Sequence, residues 1–324
     1  MVDVALRSYF LIPTSEPKLS NPVEVQETIR GLKVNKAPSP NGIPNRAVKH
    51  LPQRAVSPTG PDLQYSAPHP SFPFCVGACS SDPALHSHYR PISLLDTIGK
   101  LFEKILFARI LHVVSERGFM RDEQFGFRPR HSASLHLAHL VERITRNFGA
   151  KILTGTVFLD VAKAFDTVWI NCLLYELTLL NFPSYKVHSI SFYFQGRTFQ
   201  ASFQTATSSR RGMRAVVTQV DLMSPVLFSL YVDMPPPSHH VELAIYADDT
   251  AIIAMSRKPT LRVSYLESYL NDIQRWFSEW RIAINVSKST AIIFARAGRR
   301  FFQPRPVTHF GEPIMCRYNP LSGD

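Results

Sequence analysis

The sequence lacks the features that mark secreted and membrane-spanning proteins. Its four cysteines, Cys75, Cys79, Cys172 and Cys316, are too few and too scattered for a disulfide scaffold. No uninterrupted apolar run approaches the ~20 residues that cross a membrane, and the N-terminus has neither the basic nor the apolar region of a secretory signal. These absences predict an intracellular protein, nuclear or cytoplasmic, that is not secreted and has no membrane partner.

Lysine and arginine are missing from residues 55–89 of an otherwise basic chain. At the average frequency of the chain, about four basic residues are expected in a stretch of this length. The stretch carries six prolines and shows neither the period of a helix nor that of a strand. We therefore predict a Pro-rich, disordered insert over residues 55–88.

Acidic residues are missing from two other stretches, in a chain whose net charge is +11. Residues 196–220 hold four arginines and residues 281–310 hold six basic residues, with phenylalanines interleaved in both. Such a composition suits a groove that neutralises phosphates and stacks bases, so a nucleic acid is the leading partner class. A solvated basic face over an ordinary core explains these stretches equally well.

The apolar periodicity predicts an α+β protein. A helix is expected to begin at Ser224-Pro225. Gly118 is placed to end a different helix, the one expected over Ile98–Arg117. Thr156–Asp160 is predicted to be an apolar strand that ends on a carboxylate. The other expected helices span Pro22–Lys33, Ile98–Arg117, Leu135–Asn147, Trp169–Leu180 and Leu261–Trp280.

Carboxylates follow apolar strands at two places in the chain. Leu243–Ala247 and Thr250–Ala254 are predicted to form a β-hairpin with Asp248 and Asp249 at its tip. If this hairpin neighbours the strand that ends at Asp160, three carboxylates meet and repel one another unless cations bind. Hard oxygen ligands suit Mg²⁺, and two such ions are the arrangement that phosphoryl transfer uses. The alternative is a hairpin whose turn merely contains aspartate.

These carboxylates lie in motifs that resemble the catalytic core of a reverse transcriptase. The run from Phe158 through Asp160 and Phe165 to Asp166 is followed by Tyr246-Ala-Asp248-Asp249. The likeness is to the enzymes of non-LTR retrotransposons, particularly the jockey-like elements. Four further stretches resemble motifs of that family and occur in the family's order. They are Tyr89-Arg90-Pro-Ile-Ser-Leu-Leu95, Gln124-Phe-Gly-Phe-Arg128, Gln219 with Ser224-Pro225, and Asn285-x-x-Lys288.

The resemblance implies the right-hand fingers–palm fold of a polymerase, with an antiparallel palm sheet packed on helices and the thumb missing. Residues 1–54 would be a linker and the start of the fingers, and residues 89–155 the rest of the fingers. The palm would span 156–314, followed by an irregular tail over 315–324.

The resemblance also implies an RNA-directed DNA polymerase that adds dNTPs to a primer 3′-hydroxyl. Asp160 and Asp248 would ligate two Mg²⁺ ions, for which Mn²⁺ is a possible substitute, with help from the Val161 carbonyl. Asp249 would support that cluster. The expected partners are an RNA template and a DNA primer, and the enzyme is normally part of a polyprotein with an endonuclease domain that this chain lacks.

Other residues acquire expected roles in the same way. Arg90 would contact the triphosphate, unless it forms a surface ion pair. Phe165 would exclude a ribose 2′-hydroxyl as a steric gate, unless it is simply a core aromatic. Gln219 would lie near the nascent base pair, and Lys288 would assist the departing pyrophosphate. The residues expected to hold nucleic acid are Arg128, Arg210, Arg211, Arg214 and Ser224.

The chain departs from the family pattern at two places that bear on activity. Val220 stands where the family has glycine, and a β-branched residue there should obstruct the nucleotide. Residues 55–88 replace a basic, lysine-containing nucleotide-binding segment. We therefore expect a partial or decayed copy with impaired activity. The alternative is a non-catalytic remnant that binds nucleic acid.

Overall fold

The computed structural model describes residues 2–11, 22–35, 42–50, 74–78, 89–93, 97–128, 131–199, 202–203, 206–209, 211–212, 221–296 and 307–321. Its architecture is α+β, as the sequence predicts. A 3₁₀ helix spans Ala164–Thr167. The α-helices are α1 (Val2–Leu11), α2 (Pro22–Arg30), α3 (Asn45–Lys49), α4 (Thr97–Glu116), α5 (Ala133–Gly149), α6 (Ile170–Leu179), α7 (Ser184–Phe194), α8 (Ser224–Tyr231) and α9 (Pro259–Glu279).

The strands assemble into one five-stranded sheet and several two-stranded pairs. Across the described ranges, the large sheet has the order β13-β10-β3-β9-β8. The strands are β1 (Phe74–Ala78), β2 (Tyr89–Ser93), β3 (Leu153–Asp160), β4 (Thr198–Phe199), β5 (Ser202–Phe203), β6 (Ala206–Thr207), β7 (Arg211–Gly212), β8 (Val241–Tyr246), β9 (Asp249–Ser256), β10 (Thr290–Arg296), β11 (Thr308–His309), β12 (Glu312–Pro313) and β13 (Met315–Leu321).

The helix ends follow from local sequence signals. The side chain of Ser132 accepts a hydrogen bond from the Leu135 N–H and caps α5 at its first turn. Pro259 occupies the first turn of α9, where its missing N–H costs nothing. Gly118 takes a left-handed φ of +63° just beyond α4, as expected for a residue that ends a helix. None of the described helices combines the length and the apolar character needed to cross a membrane.

The chain divides into two compact units, each built from two separate segments. The helical unit comprises Met1–Phe119 and Val168–Tyr231, and the sheet unit comprises Met120–Thr167 and Val232–Asp324. In the helical unit, α6 packs against α1, α7 and α8, and α2 packs against α4. Its core includes fully buried side chains such as Leu173 and Ile190. The boundaries expected from the family at residues 54, 88, 155 and 314 stay predictions.

In the sheet unit, helices cover both faces of the five-stranded sheet. Ile253 of β9 packs against the buried side of α5. A Cβ atom added to Gly155 of β3 would lie 2.9 Å from Cδ of Arg262 in α9. Gly155 pairs with Ala254, the neighbour of Ile253, so the two contacts lie on opposite faces of the sheet. The middle strands are therefore buried on both sides.

Three expectations about the strands need correction or completion. The hairpin turn consists of Ala247 and Asp248, because Asp249 is already the first residue of β9. The expected irregular tail contains β13, which pairs in parallel with β10, so the sheet is antiparallel in only three of its four pairings. The expected disordered insert lies outside the described residues except at its Phe74–Ala78 segment, which forms β1 and pairs with β2.

Candidate active site

The strand register brings the three predicted carboxylates to one edge of the sheet. Asp160, the last residue of β3, lies directly opposite Asp249, the first residue of β9. Asp249 is also opposite Tyr246 across the hairpin, and Asp248 lies in the turn between them. Directly opposed residues on neighbouring strands project from the same face of a sheet. We call Asp160, Asp248 and Asp249 the carboxylate cluster.

The charges of this cluster act on one another. Desolvation, and then the negative charges of Asp248 and Asp160, raises the pKa of Asp249. Like charges placed directly opposite on paired strands destabilise the sheet, so this edge gains from a bound cation. Within the described part of the chain, no three His, Cys, Asp or Glu side chains are close enough together to hold a metal ion as they stand. The donors themselves are hard oxygens, which suit Mg²⁺ or Mn²⁺.

The hairpin turn is held in place by a segment that is far away in the sequence. The Phe125 N–H donates to the Ile245 carbonyl at 2.8 Å, and the Ile245 N–H donates to the Glu123 carbonyl at 2.9 Å. Between these bonds, Gln124 is buried and its Oε1 accepts from the Ala247 N–H at 3.1 Å. This side chain fixes the turn residue that precedes Asp248.

The backbone of this segment comes unusually close to the turn. Oε1 of Gln124 also accepts from the Gly126 N–H at 2.8 Å. A Cβ atom at Gly126 would lie 2.2 Å from the Ala247 nitrogen, so only glycine fits there without movement. Ala247 and Phe127 both have left-handed φ values, +59° and +61°, which are rare for residues with side chains. Such strain is characteristic of functional sites.

The loop before β10 holds Asp160 from its other side. The Asp160 carbonyl accepts from the Asn285 N–H at 2.8 Å, and the Asp160 N–H donates to Oγ of Ser289 at 3.2 Å. Val161 pairs with Ile284 in an isolated antiparallel bridge. Lys288 lies in the same loop with an exposed side chain. The backbone of Asp160 is therefore fixed at both its N–H and its carbonyl group.

Phe165 lies in the 3₁₀ helix that follows β3. It is half-buried, and its ring meets that of Phe127 edge-to-face with centroids 6.1 Å apart. Lys163, just before this helix, has a left-handed φ of +50°. Residues 123–127, which we call the Gln124 segment, therefore contact both the hairpin turn and the aromatic ring of Phe165.

The remaining predicted site residues are placed less informatively. Val161 is buried, and Ser224 is only 1% exposed at the start of α8, so its side chain is not on a surface. Arg128 is half-buried, donates to the Arg121 carbonyl at 2.8 Å and pairs with Asp122 at 3.6 Å. Arg211 is exposed in β7. Arg90 lies in β2 with its side chain outside the description, and the described residues do not include Gln219, Arg210 or Arg214.

Sequence reasoning did not assign roles to several residues that shape the site. Gln124 and Gly126 are part of a recognised motif, but their contacts with Ala247 were not anticipated. Asn285 and Ser289 likewise hold the Asp160 backbone. The glycine between two phenylalanines was the available signal, because glycine often marks a close backbone approach.

Comparison with known proteins agrees with this geometry. Residues 81–313 match the family described as "Reverse transcriptase (RNA-dependent DNA polymerase)". The chain is 31% identical over 303 residues to the probable RNA-directed DNA polymerase from transposon X-element of Drosophila melanogaster, covering 88% of this chain and 32% of that protein. It is 30% identical over 288 residues to the RNA-directed DNA polymerase from mobile element jockey of Drosophila melanogaster, covering 84% and 31%.

A third relative, the probable RNA-directed DNA polymerase from transposon BS of Drosophila melanogaster, is 30% identical over 284 residues, which are 82% of this chain and 31% of that protein. The chain therefore spans about a third of the length of the curated relatives that it matches. The resemblance drawn from the motifs is confirmed. Since the family match covers most of the chain, the protein belongs to the reverse transcriptase family, with relatives among the RNA-directed DNA polymerases of jockey-like, non-LTR transposons.

Proposed function

We propose that this chain is the fingers–palm portion of an RNA-directed DNA polymerase, with its catalytic centre at the carboxylate cluster. The observation that carries the proposal is the register that sets Asp160 opposite Asp249, with Asp248 in the adjoining turn. The five-stranded sheet that carries the cluster would lie in the palm. In the proposed reaction, the primer 3′-hydroxyl attacks the α-phosphate of a dNTP, a new P–O bond forms, and pyrophosphate leaves.

Asp160 and Asp248 would be the carboxylate ligands of two Mg²⁺ or Mn²⁺ ions. When bound, such ions neutralise phosphate charge and favour ionisation of the attacking hydroxyl. The bridge between Val161 and Ile284 is flanked by bonds from Ala162 and Asn285, so the Val161 carbonyl is not an acceptor in that bridge. The Val161 carbonyl would be the third metal ligand, beside the carboxylates of Asp160 and Asp248. Asp160 and Asp249 share one face of the sheet, and Asp248 lies in the turn that adjoins Asp249.

The residues around the cluster would position the substrates. Phe165, supported by the ring of Phe127, would lie under the sugar of the incoming nucleotide and exclude a 2′-hydroxyl. The exposed ammonium group of Lys288 would neutralise or protonate the leaving pyrophosphate. Arg90 would bind the triphosphate, for which a guanidinium is well suited.

The template and primer would be held mainly through their phosphates. RNA template and DNA primer are the proposed partners, and Gln219 would lie beside the nascent base pair. The exposed Arg211 is a candidate for backbone contact, together with Arg210 and Arg214. Val220 replaces the family's glycine next to Gln219, so we expect turnover to be slower than with glycine at that position.

Primer extension tests this proposal. The folded chain is incubated with Mg²⁺, an RNA template, a DNA primer and either dNTPs or rNTPs. Asp248→Asn is compared with Asp272→Asn, since Asp272 is an exposed residue of α9 outside the site. Extension with dNTPs that is lost only in Asp248→Asn supports the proposal.

Two results would overturn it. Extension that survives Asp248→Asn unchanged would exclude the carboxylate cluster as the catalytic centre. Salt-sensitive binding of an RNA–DNA hybrid without any incorporation would instead identify a non-catalytic nucleic-acid-binding remnant.

A further inference from the structure

An open pocket lies in the sheet unit, at the C-terminal end of α9. Its volume is about 380 Å³, within the ~300–1,000 Å³ that is typical of small-ligand sites. The lining residues that matter here are four apolar ones and two polar ones, namely Phe277, Ile282, Ile284 and Phe310, with Ser278 and Arg281. A pocket of this composition can hold a flat apolar group and bind a polar or anionic attachment beside it.

Phe310 reaches this pocket from a strained hairpin turn. Phe310 and Gly311 form the turn between His309 and Glu312, which lie opposite each other in the β11–β12 pair. Both turn residues have positive φ values, +50° and +77°, as in a type I′ turn, where Asn-Gly is the preferred pair. A phenylalanine is unfavourable at the first of these positions. Its ring nevertheless stays 40% exposed.

Arg281 reaches the same pocket from a strained helix end. The Ile282 N–H donates to the Phe277 carbonyl at 2.8 Å, and the Arg281 N–H donates to the Ser278 carbonyl at 3.4 Å. These two bonds form a Schellman motif, in which the residue at the position of Arg281 is usually glycine. The φ of Arg281 is +56°. Two bulky residues therefore hold strained conformations at one pocket, and such strain is characteristic of functional sites.

One wall of the pocket is joined to the candidate metal site. The Ala283 carbonyl accepts from the Ala162 N–H at 2.8 Å, and Ile284 pairs with Val161 in an antiparallel bridge. Paired residues on neighbouring strands are only about 4.5–5.5 Å apart. The pocket therefore begins one strand spacing from Val161, so a nucleic acid that is bound at the carboxylate cluster would pass beside it.

The charge around the pocket favours a polyanion. Arg281 and Phe310 are the first and last residues of the stretch 281–310, which holds six basic residues and no acidic one. Apart from Lys288, the basic residues of this stretch have no role in the proposed reaction. The fold brings its two ends together, so an exposed aromatic ring and an exposed arginine share one pocket. Stacking rings combined with cations are typical of sites for single-stranded nucleic acid.

We propose that this pocket binds an unpaired base of the template–primer, with the base stacked on Phe310 and its phosphate beside Arg281. The inference rests on the proposed function, which supplies the nucleic acid. Every base has a π face, so stacking on Phe310 would be independent of sequence. A fully paired hybrid has no free base for the pocket, and only a strand that extends beyond the duplex would fill it.

Binding of RNA–DNA hybrids, measured by fluorescence anisotropy without dNTPs, tests this inference. Three hybrids have the same duplex length and are blunt, extended on the RNA strand or extended on the DNA strand. An extended hybrid should bind about tenfold more tightly than the blunt one. The strand whose extension gives the gain identifies template or primer as the source of the base. A fourth hybrid with an abasic extension keeps the added phosphates and should lose most of the gain.

Two variants remove the proposed contacts without adding strain. Phe310→Asn supplies the preferred Asn-Gly pair, so this variant should fold at least as stably as the native chain and yet lose the gain from the extension. Arg281→Asn also suits a left-handed position, and it should weaken binding of the extended hybrid more than binding of the blunt one. Arg257→Asn is the matched control, since Arg257 is exposed at the opposite end of α9, roughly 30 Å away.

The outcomes separate this inference from the proposed function. A gain that requires bases and is lost in Phe310→Asn, with an unchanged or higher urea midpoint, supports the inference. Equal binding of blunt and extended hybrids overturns it, as does a gain that survives Phe310→Asn or an equal loss in Arg281→Asn and Arg257→Asn. A native chain that binds no hybrid overturns the proposed function as well, whereas a chain that extends primers but gains nothing from an extension overturns the inference alone.

Discussion

Replacing Gly126 with alanine should damage catalysis while leaving most of the fold intact. The added Cβ would lie 2.2 Å from the Ala247 nitrogen, 2.9 Å from its Cα and 3.0 Å from Oε1 of Gln124, whereas ordinary contacts begin at 3.4 Å. Both approaching groups on Ala247 are backbone atoms, so no side-chain rotation relieves the clash. The turn must move.

The size of the effect follows from this distance. The Ala247 backbone has to retreat by roughly 1 Å, and a misplacement of that size at a catalytic group costs ~100-fold in rate. The overpacking itself should cost about 1–3 kcal/mol of stability, within the ~5–15 kcal/mol that a typical domain has. Gly126→Ala should therefore fold and extend primers ~100-fold more slowly than the native chain.

The assay compares two alanine variants of the sheet unit. Gly149→Ala is the control, because a Cβ at this last residue of α5 meets nothing within 4 Å. Circular dichroism and urea unfolding show whether each variant is folded, and single-turnover extension with saturating dNTP gives the rate. A folded Gly126→Ala protein with the native rate would refute the claim that the Gln124 segment sets the position of Asp248.

Three further changes have defined expectations. Phe165→Val should raise incorporation of rNTPs relative to dNTPs by about tenfold, as expected when a shape-discriminating side chain is cut back; Phe148→Val, a change on α5, should leave that ratio as it is. Val220→Gly should raise the extension rate by up to about tenfold by letting the nucleotide approach, and a rate no higher than native would contradict this reading of Val220. His309 is 1% exposed in β11, and burial lowers its pKa to about 4 from 6.5. As the pH falls from 6.5 to 4, His309 is protonated in the unfolded chain before it is protonated in the folded chain, so roughly 3 kcal/mol of the stability present at neutral pH should be lost. Urea unfolding of His309→Phe should lack that loss.

Much of the fold could be predicted because its helices carry strong local signals. The expected helix Ile98–Arg117 is observed at Thr97–Glu116, and Trp169–Leu180 at Ile170–Leu179. Apolar spacing and a terminating glycine were sufficient for the first of these. Local signals do not show which carboxylates are buried. Nothing in the sequence distinguishes Glu103 of α4, which is 3% exposed, from the exposed Glu116 of the same helix.

The predicted hairpin turn was displaced by one residue, because the observed turn consists of Ala247 and Asp248. The alternation of apolar residues favours a turn at Asp248 and Asp249, because an alanine with a left-handed φ is unfavourable on its own. The observed conformation of Ala247 is held by Gln124, which is 123 residues away in the chain. A local pattern contains no information about such a contact.

The expectation of an irregular tail over residues 315–324 missed β13 for a similar reason. Pro320 and Asn319 argue against a strand, yet β13 pairs in parallel with β10, and Pro320 lies opposite Ala295. β13 is the edge strand of the sheet, where a missing N–H can face away from the ladder. Whether a strand is central or at an edge depends on the tertiary arrangement.

The central position of β3 has a consequence for synthesis of the chain. Both of its neighbours, β9 and β10, are made later, so an emerging chain carries β3, with its apolar run Val157-Phe158-Leu159 and two unpaired edges, until residues 249–296 have left the ribosome. Exposed apolar edges of this kind pair readily with other chains. Nascent products that stop before β9 should therefore aggregate or require chaperones, and the carboxylate cluster should be among the last parts of the molecule to form.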